Sequence, residues 1–242
     1  MTMLRVGDYE FDVTRVIGEG SFGSVFKGNK VGTPDIVAGK RVVVEKDFVE
    51  KCEKEANFLL ELPRHDNIVT VLSIERREYE EEGVELVELW IVTEYYPSTF
   101  KRYACGKDLS FEAKIDLMVQ CCRGLHHLHQ HDVVHRDIKP DNLMVVEEEG
   151  KAVVKIIDFG ESRLVDRIEG KTVAMNTFAG TKAYMAPEML RQDGSSMKPN
   201  YTTSVDVFAL GVTFLTLMKS PMVTYMCKGK FSHFTINHPK QR

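Results

Sequence analysis

The segment His135-Arg-Asp-Ile-Lys-Pro-Asp-Asn142 gathers acids, a lysine and an asparagine into one short run, and Asp158-Phe-Gly160 follows twenty-one residues after Asp137. Carboxylate and amide oxygens are ligands for hard cations, and a carboxylate within reach of a hydroxyl can act as a base. On loops flanking a short hairpin, the set could supply a base and ligands for an oxygen-loving cation. A second constellation is Gly18-Glu-Gly-Ser-Phe-Gly23, preceded by Ile17 and followed by Val25. Glycines let the backbone approach phosphate oxygens, and their N–H groups donate without side-chain obstruction. A third is Val37-Ala-Gly-Lys40. Residues two apart on a strand share a face, so Ala38 and Lys40 point the same way, and a small residue beside a lysine suits a flat ring with a phosphate beyond it. Glu55 offers the ammonium a partner. Each motif also has a bland reading, since glycine turns are common in hairpins and strand lysines are usually solvated.

Periodicity predicts the elements that must hold these residues. Tyr9, Phe11 and Val13 alternate with charged residues as in a half-buried strand, and Val16-Ile17 runs into the glycines. Ser24-Val-Phe26 opens a second strand and residues 36–44 form a third, so the glycines lie between strands. That placement argues against a dinucleotide-binding fold, in which the third glycine opens a helix, and favours a β-hairpin lid. Phe48, Cys52, Glu55, Leu59 and Leu62 recur at helical spacing, and Pro63 ends that helix. Residues 68–74 and 84–95 predict paired strands around an acidic turn at 78–83, read as a solvated hairpin tip. Beyond Pro97 the pattern turns helical. Ser110 is the expected N-cap, with Ile115, Met118, Val119, Cys122, Leu125 and Leu128 as the buried stripe. Residues 143–146 and 153–157 predict two short strands around a Glu-Glu-Glu-Gly turn. The expected fold class is α+β, a β-rich first lobe and a helical second lobe on one chain.

With 242 residues, 43% of them hydrophobic and 28% charged, the chain can bury a core without disulfide or metal staples. Its 36 acidic and 32 basic residues give a formal charge of -4, so neither nucleic acid nor a membrane surface is an expected partner. The start lacks the apolar run of a signal peptide. The longest apolar stretch, 205–218, is shorter than the roughly 20 residues of a membrane span and contains Asp206. Cys52, Cys105, Cys121, Cys122 and Cys227 have no metal-type spacing, and a cytoplasmic protein with reduced thiols is the expectation. Histidines crowd into Leu125-His-His-Leu-His-Gln-His131. No acid or cysteine stands at ligand spacing, and the segment carries an apolar helical stripe, so a structural role is expected over a metal site.

In order along the chain, these blocks resemble a eukaryotic protein kinase domain, with further matches at Gly180-Thr181, Ala186-Pro-Glu188 and Asp206-Val-Phe-Ala-Leu-Gly211. The resemblance covers roughly residues 8–218, with an N-lobe over 8–93, a hinge over 94–97, a partial C-lobe over 98–218 and an atypical tail over 219–242. It implies a two-lobed kinase-like fold and ATP-dependent transfer of the γ-phosphate to serine or threonine hydroxyls of a protein substrate, with Mg²⁺ as cofactor. Gly18, Gly20 and Gly23 would cover the phosphates, with Ile17, Ser21 and Phe22 in the same loop. Val25 and Ala38 would lie above the adenine and Met144 below it. Thr93 falls at the gatekeeper position, and Glu94 and Tyr96 would offer hinge backbone groups. Lys40 would hold the α/β-phosphates and pair with Glu55, Glu53 being the alternative. Asp137 would orient the substrate hydroxyl and accept its proton, Lys139 would neutralise the transferred phosphate, and Asn142 with Asp158 would hold Mg²⁺. Lys139 and the downstream Gly-Thr-Lys-Ala-Tyr-Met-Ala-Pro-Glu resemble the serine/threonine branch, where Thr181 lines the substrate-binding end of the loop. Arg136 implies control by an upstream kinase acting on Thr177, or else on Thr172 or Ser162.

The chain departs from the pattern in two places. Gly39 replaces the bulky residue usual between the alanine and the lysine, which predicts lost packing and a less firmly held Lys40. After Met218 the pattern stops, which predicts a truncated C-lobe. The resemblance implies a later arginine as partner of Glu188, and the arginines that follow it, Arg191 and Arg242, are not at the expected place; the apolar helix around Asp206 would want cover on every side. A kinase-fold binding or regulatory module with little or no activity is the alternative to an active enzyme.

Overall fold

The computed structural model describes residues 2–20, 23–164, 167–168, 171–172, 180–190 and 202–218. Ser21, Phe22, Thr177, Arg191 and the tail 219–242 lie outside the described residues, as do the side chains of Glu55 and Thr172.

Strands β1 (Met3–Val6), β2 (Tyr9–Gly20), β3 (Gly23–Lys30), β4 (Ile36–Glu45), β5 (Val71–Glu81) and β6 (Val84–Glu94) form one antiparallel sheet in the order β1-β2-β3-β4-β6-β5. β1 adds a strand to those expected; it turns at Gly7, φ 56°, and pairs with the start of β2. The sheet curls until β1 touches β5. Its enclosed face buries Tyr9, Phe11, Phe26, Val37, Trp90 and Val92. Here the lost packing expected at Gly39 is not found. The Phe11 ring lies over Gly39 and Gly28, where a Cβ at either position would overlap it, and it stacks on Trp90 with centroids 4.7 Å apart. The bulk missing from β4 is delivered by β2, so the interior stays packed.

The two tight hairpins differ from expectation in the same way. β5–β6 closes through Glu82-Gly83 (φ 52° and 80°), and β9 (Leu143–Glu148) closes onto β10 (Lys151–Ile156) through Glu149-Gly150 (φ 49° and 78°). Two left-handed residues with glycine second match the twist of the flanking strands. Pairing therefore continues to Glu81 opposite Val84 and to Glu148 opposite Lys151, and most of each acidic run is strand rather than turn.

Helix α1 (Val49–Glu61) stops before Pro63 and turns Val49 and Ala56 inward. After β6, β7 (Ser98–Thr99) pairs with β9. α2 (Phe100–Gly106) is capped by Thr99, and α3 (Phe111–Gln130) by Ser110, whose hydroxyl accepts from the Ala113 amide at 3.2 Å. The buried stripe of α3 matches the expected one at Leu125 and Leu128, with Met118 packed partly buried against the core, and departs from it elsewhere. Leu117, Cys121, Gly124, Leu125 and Leu128 face inward, while Ile115 and Val119 are 38% and 39% exposed and Cys122 is exposed. Two contacts select this face. A Cβ on Gly124 would stand 2.8 Å from the Asn67 carbonyl oxygen, so only a glycine lets the helix come this close. Gln120 Nε2 donates to Ala152 O and its Oε1 accepts from Val154 N, both at 2.9 Å, which closes the outer edge of β10 with a side-chain amide.

The short pairs β8 (Val133–Val134) with β11 (Arg163–Leu164) and β12 (Arg167–Ile168) with β13 (Lys171–Thr172) follow, then α4 (Pro187–Leu190) and α5 (Ser204–Leu217). α5 packs on α3 through Ala209 and Leu210, while Val207 is 59% exposed. The histidine-rich end of α3 finds protein partners. His127 Nε2 donates to Pro63 O and His131 Nδ1 to His127 O, each at 2.8 Å. No described helix is long and apolar enough to cross a membrane.

Candidate active site

A cleft of about 940 Å³ separates the curled sheet from the helical part, a size suited to a nucleotide-sized ligand. Ile17 and Gly18 of β2, Val25 of β3, and Ala38 and Lys40 of β4 line it on the sheet side. Thr93, Glu94 and Tyr96 line it where β6 ends, and Met144 lines it from β9. Asp137, Lys139, Asn142 and Asp158, on loops either side of the β9–β10 hairpin, complete the set. Gly20 and Gly23 pair with each other where β2 passes to β3, and Gly23 stands outside the cleft lining. Gly23 is required there, because its φ of 149° and the Arg41 carbonyl oxygen against it leave no room for a Cβ.

The loop after β8 is held open by a buried carboxylate. Arg136 adopts φ 65°, a left-handed conformation that costs a non-glycine residue free energy. Asp206 of α5, fully buried, offsets this by accepting from His135 N at 2.8 Å and Arg136 N at 2.7 Å, with His129 Nε2 2.9 Å away. His135 Nε2 donates to Ile157 O at 2.9 Å and its Nδ1 accepts from Asp137 N at 3.3 Å, which fixes one tautomer. These bonds aim the Asp137 carboxylate into the cleft. Its Oδ2 accepts from Lys139 Nζ at 2.7 Å and Asn142 Nδ2 at 2.9 Å. Its Oδ1 accepts from Thr181 N at 2.8 Å and Thr181 Oγ1 at 2.7 Å.

Lys40 Nζ lies 2.5 Å from Asp158 Oδ1, which also accepts from Gly160 N at 3.3 Å. Burial works to raise the Asp158 carboxyl, but the Lys40 charge and hydrogen bond, with His135 and Gly160, hold it below the ordinary carboxylate range. Glu55 lies on α1. Glu53, the alternative partner, instead meets Arg76 Nη1 at 3.2 Å. Burial pushes the neighbouring Glu161 carboxyl up, with Arg136 pulling the other way. At the end of β6, the Tyr96 hydroxyl donates to the Glu94 carboxylate, and burial together with that bond pushes the phenol far up.

Glu161 is absent from the sequence reading, Asp206 enters it only as part of a matching block, and Thr181 only as lining the substrate-binding end of the loop, not as a partner of Asp137. The signal for Asp206 is available, because a carboxylate alone in an apolar helical run must be paired once buried. Thr181 and Glu161 join the site only through the path of the loop.

The chain matches the protein kinase domain family over residues 11–238. It is 32% identical over 211 residues to serine/threonine-protein kinase mig-15 of Caenorhabditis elegans and 33% identical over 211 residues to Misshapen-like kinase 1 of Rattus norvegicus. Both alignments cover 86% of this chain, but 19% and 15% of the respective relatives. Serine/threonine-protein kinase ppk11 of Schizosaccharomyces pombe is 31% identical over 209 residues, covering 85% of this chain and 60% of that relative. The chain thus spans less than two thirds of the length of each of these relatives.

Proposed function

The chain belongs to the protein kinase domain family, and from that premise we propose that it transfers the γ-phosphate of ATP to serine or threonine hydroxyls of a protein. The observation that carries the reading is the Asp137 carboxylate, turned into the cleft with one oxygen on Lys139 and Asn142 and the other on Thr181. An alcohol is a compatible donor to it, since the Thr181 hydroxyl already reaches Oδ1 at 2.7 Å.

Val25, Ala38 and Met144 offer apolar surface for the adenine, and the hinge at Glu94 and Tyr96 offers backbone groups for its edge. Lys40 carries positive charge for the phosphate oxygens. The donors fit Mg²⁺: Asp158 is a carboxylate, and Asn142, whose amide nitrogen is committed to Asp137 O and Oδ2, presents its remaining oxygen. When bound, the ion supplies charge neutralisation on the transferred group. Asp137 orients the substrate hydroxyl and takes its proton, while Lys139, 2.7 Å from Asp137, balances the charge that develops beside it. Glu55 is the proposed second partner of Lys40.

For control by an upstream kinase the proposed target is Thr177. The Ser162 hydroxyl already donates to Phe159 O at 2.6 Å, which weighs against that alternative. A binding module on the same fold is the competing reading; Lys40, Asp137, Asn142 and Asp158 around one cleft weigh for catalysis, since docking alone does not need all four. The test is incubation with labelled ATP, Mg²⁺ and casein followed by phosphoamino-acid analysis. Mg²⁺-dependent label on serine and threonine is expected; label confined to tyrosine, or none, would contradict the proposal.

A further inference from the structure

Lys40 is held from behind. Ala38, Lys40 and Val42 face the cleft, so the neighbours of Lys40, Gly39 and Arg41, face the enclosed side of the sheet. Both are engaged there. The Phe11 ring covers Gly39. Arg41 Nη2 lies 2.5 Å from Oε1 of Glu88, a carboxylate only 1% exposed. Oε2 of Glu88 meets Arg77 Nη1 at 3.2 Å and accepts from Trp90 Nε1 at 3.1 Å, and Trp90 stacks on Phe11. The run Phe11, Trp90, Glu88, Arg41 therefore closes a loop around the back of the lysine, with no member lining the cleft.

The arrangement answers a specific weakness. A glycine beside the lysine gives β4 extra backbone freedom, whereas a group that must meet a phosphate has to be held to within roughly 0.5 Å. We propose that Phe11 and Glu88 are positioning residues that fix β4 at Lys40, the ring by pressing on Gly39 and the carboxylate by anchoring Arg41. The consequence for nucleotide use rests on the kinase reading above; the hold on Lys40 does not.

The experiment compares Phe11→Ala, Phe11→Leu, Gly39→Ile, Glu88→Gln and the double variant Phe11→Ala/Gly39→Ile, each checked for folding by its thermal transition. One arm measures acetylation of the Lys40 amine relative to exposed Lys151 by peptide mass spectrometry, without nucleotide. The other measures KM for ATP and kcat. Phe11→Ala, Gly39→Ile and Glu88→Gln are expected to raise relative acetylation of Lys40 severalfold and to raise KM for ATP more than they lower kcat. Phe11→Leu should stay near wild type, and the double variant should recover toward it, because bulk is returned to the same space from the other strand. Folded single variants with wild-type acetylation, or a double variant no better than the worse single, would overturn the proposal. If the wild type transfers no phosphate, the acetylation arm still decides the matter, which separates failure of this inference from failure of the kinase reading. If Phe11→Ala does not fold, Glu88→Gln and Gly39→Ile carry the same comparison.

Discussion

Thr181 Oγ1 lies 2.7 Å from Asp137 Oδ1 and 2.8 Å from Lys139 Nζ, so one hydroxyl ties the aspartate and the lysine of the same loop together. Thr181→Ala removes two charge-assisted bonds, one of them to Asp137, and leaves Asp137 held by Lys139, Asn142 and the backbone amide of residue 181. The lost bond to Asp137 contributes about 1.5 to 3 kcal/mol, so kcat should fall roughly tenfold to a hundredfold. Thr181→Ser keeps the oxygen and should stay near wild type; equal kcat values for Ala and Ser variants would count against the tie.

The Lys40–Asp158 pair makes stability depend on pH. A carboxyl whose folded pKa is depressed contributes stability above its unfolded value of about 3.9 and loses it as pH falls through the folded value. Lys40→Met removes the main opposing influence and leaves burial to raise Asp158. The gap between wild-type and variant urea midpoints should be widest at neutral pH, narrow on acidification and be smallest below about pH 4. A gap that stays constant across that range would contradict the pairing.

Asp206 is predicted to support the active-site loop from beneath. Asp206→Ala strands the buried amides of His135 and Arg136 and leaves the left-handed Arg136 without its compensating bonds. Urea unfolding should report a loss of about 3 to 5 kcal/mol. A loss below about 1 kcal/mol, the scale of an exposed pair, would show that the carboxylate does not hold the loop.

Thr177 is predicted to be a regulatory phosphorylation site. Thr177→Ala should lower the transfer rate while leaving nucleotide affinity nearly unchanged, because an added phosphate acts on the loop rather than on the cleft. Comparing fully phosphorylated wild type with the variant checks this, and equal rates would reject the site.

Which parts of this site can be read from the chain depends on how local their causes are. Asp137, Lys139 and Asn142 are legible because they share one short run, and Asp158 because its flanking Phe-Gly is distinctive. Lys40 is legible through its strand alternation with Ala38. The face of α3 is legible only in part: Leu125 and Leu128 are buried as expected, but Ile115 and Val119 are as apolar as Leu117, and only the approach of Gly124 to Asn67 and the grip of Gln120 on β10 choose between them. Gly39 looks like a defect until Phe11, a distant residue in sequence, is brought over it by the curl of the sheet. Acidic runs likewise read as turns, although a Glu-Gly pair alone makes each bend and the remaining acids continue the strands.

Catalysis by Asp137 is tested most directly by the initial rate of label transfer from γ-labelled ATP with Mg²⁺, measured for wild type and Asp137→Asn together with nucleotide binding by both. The variant should bind nucleotide as wild type does and transfer label at least about 100-fold more slowly. Equal rates in the two proteins would contradict the assignment of Asp137 as the group that accepts the hydroxyl proton.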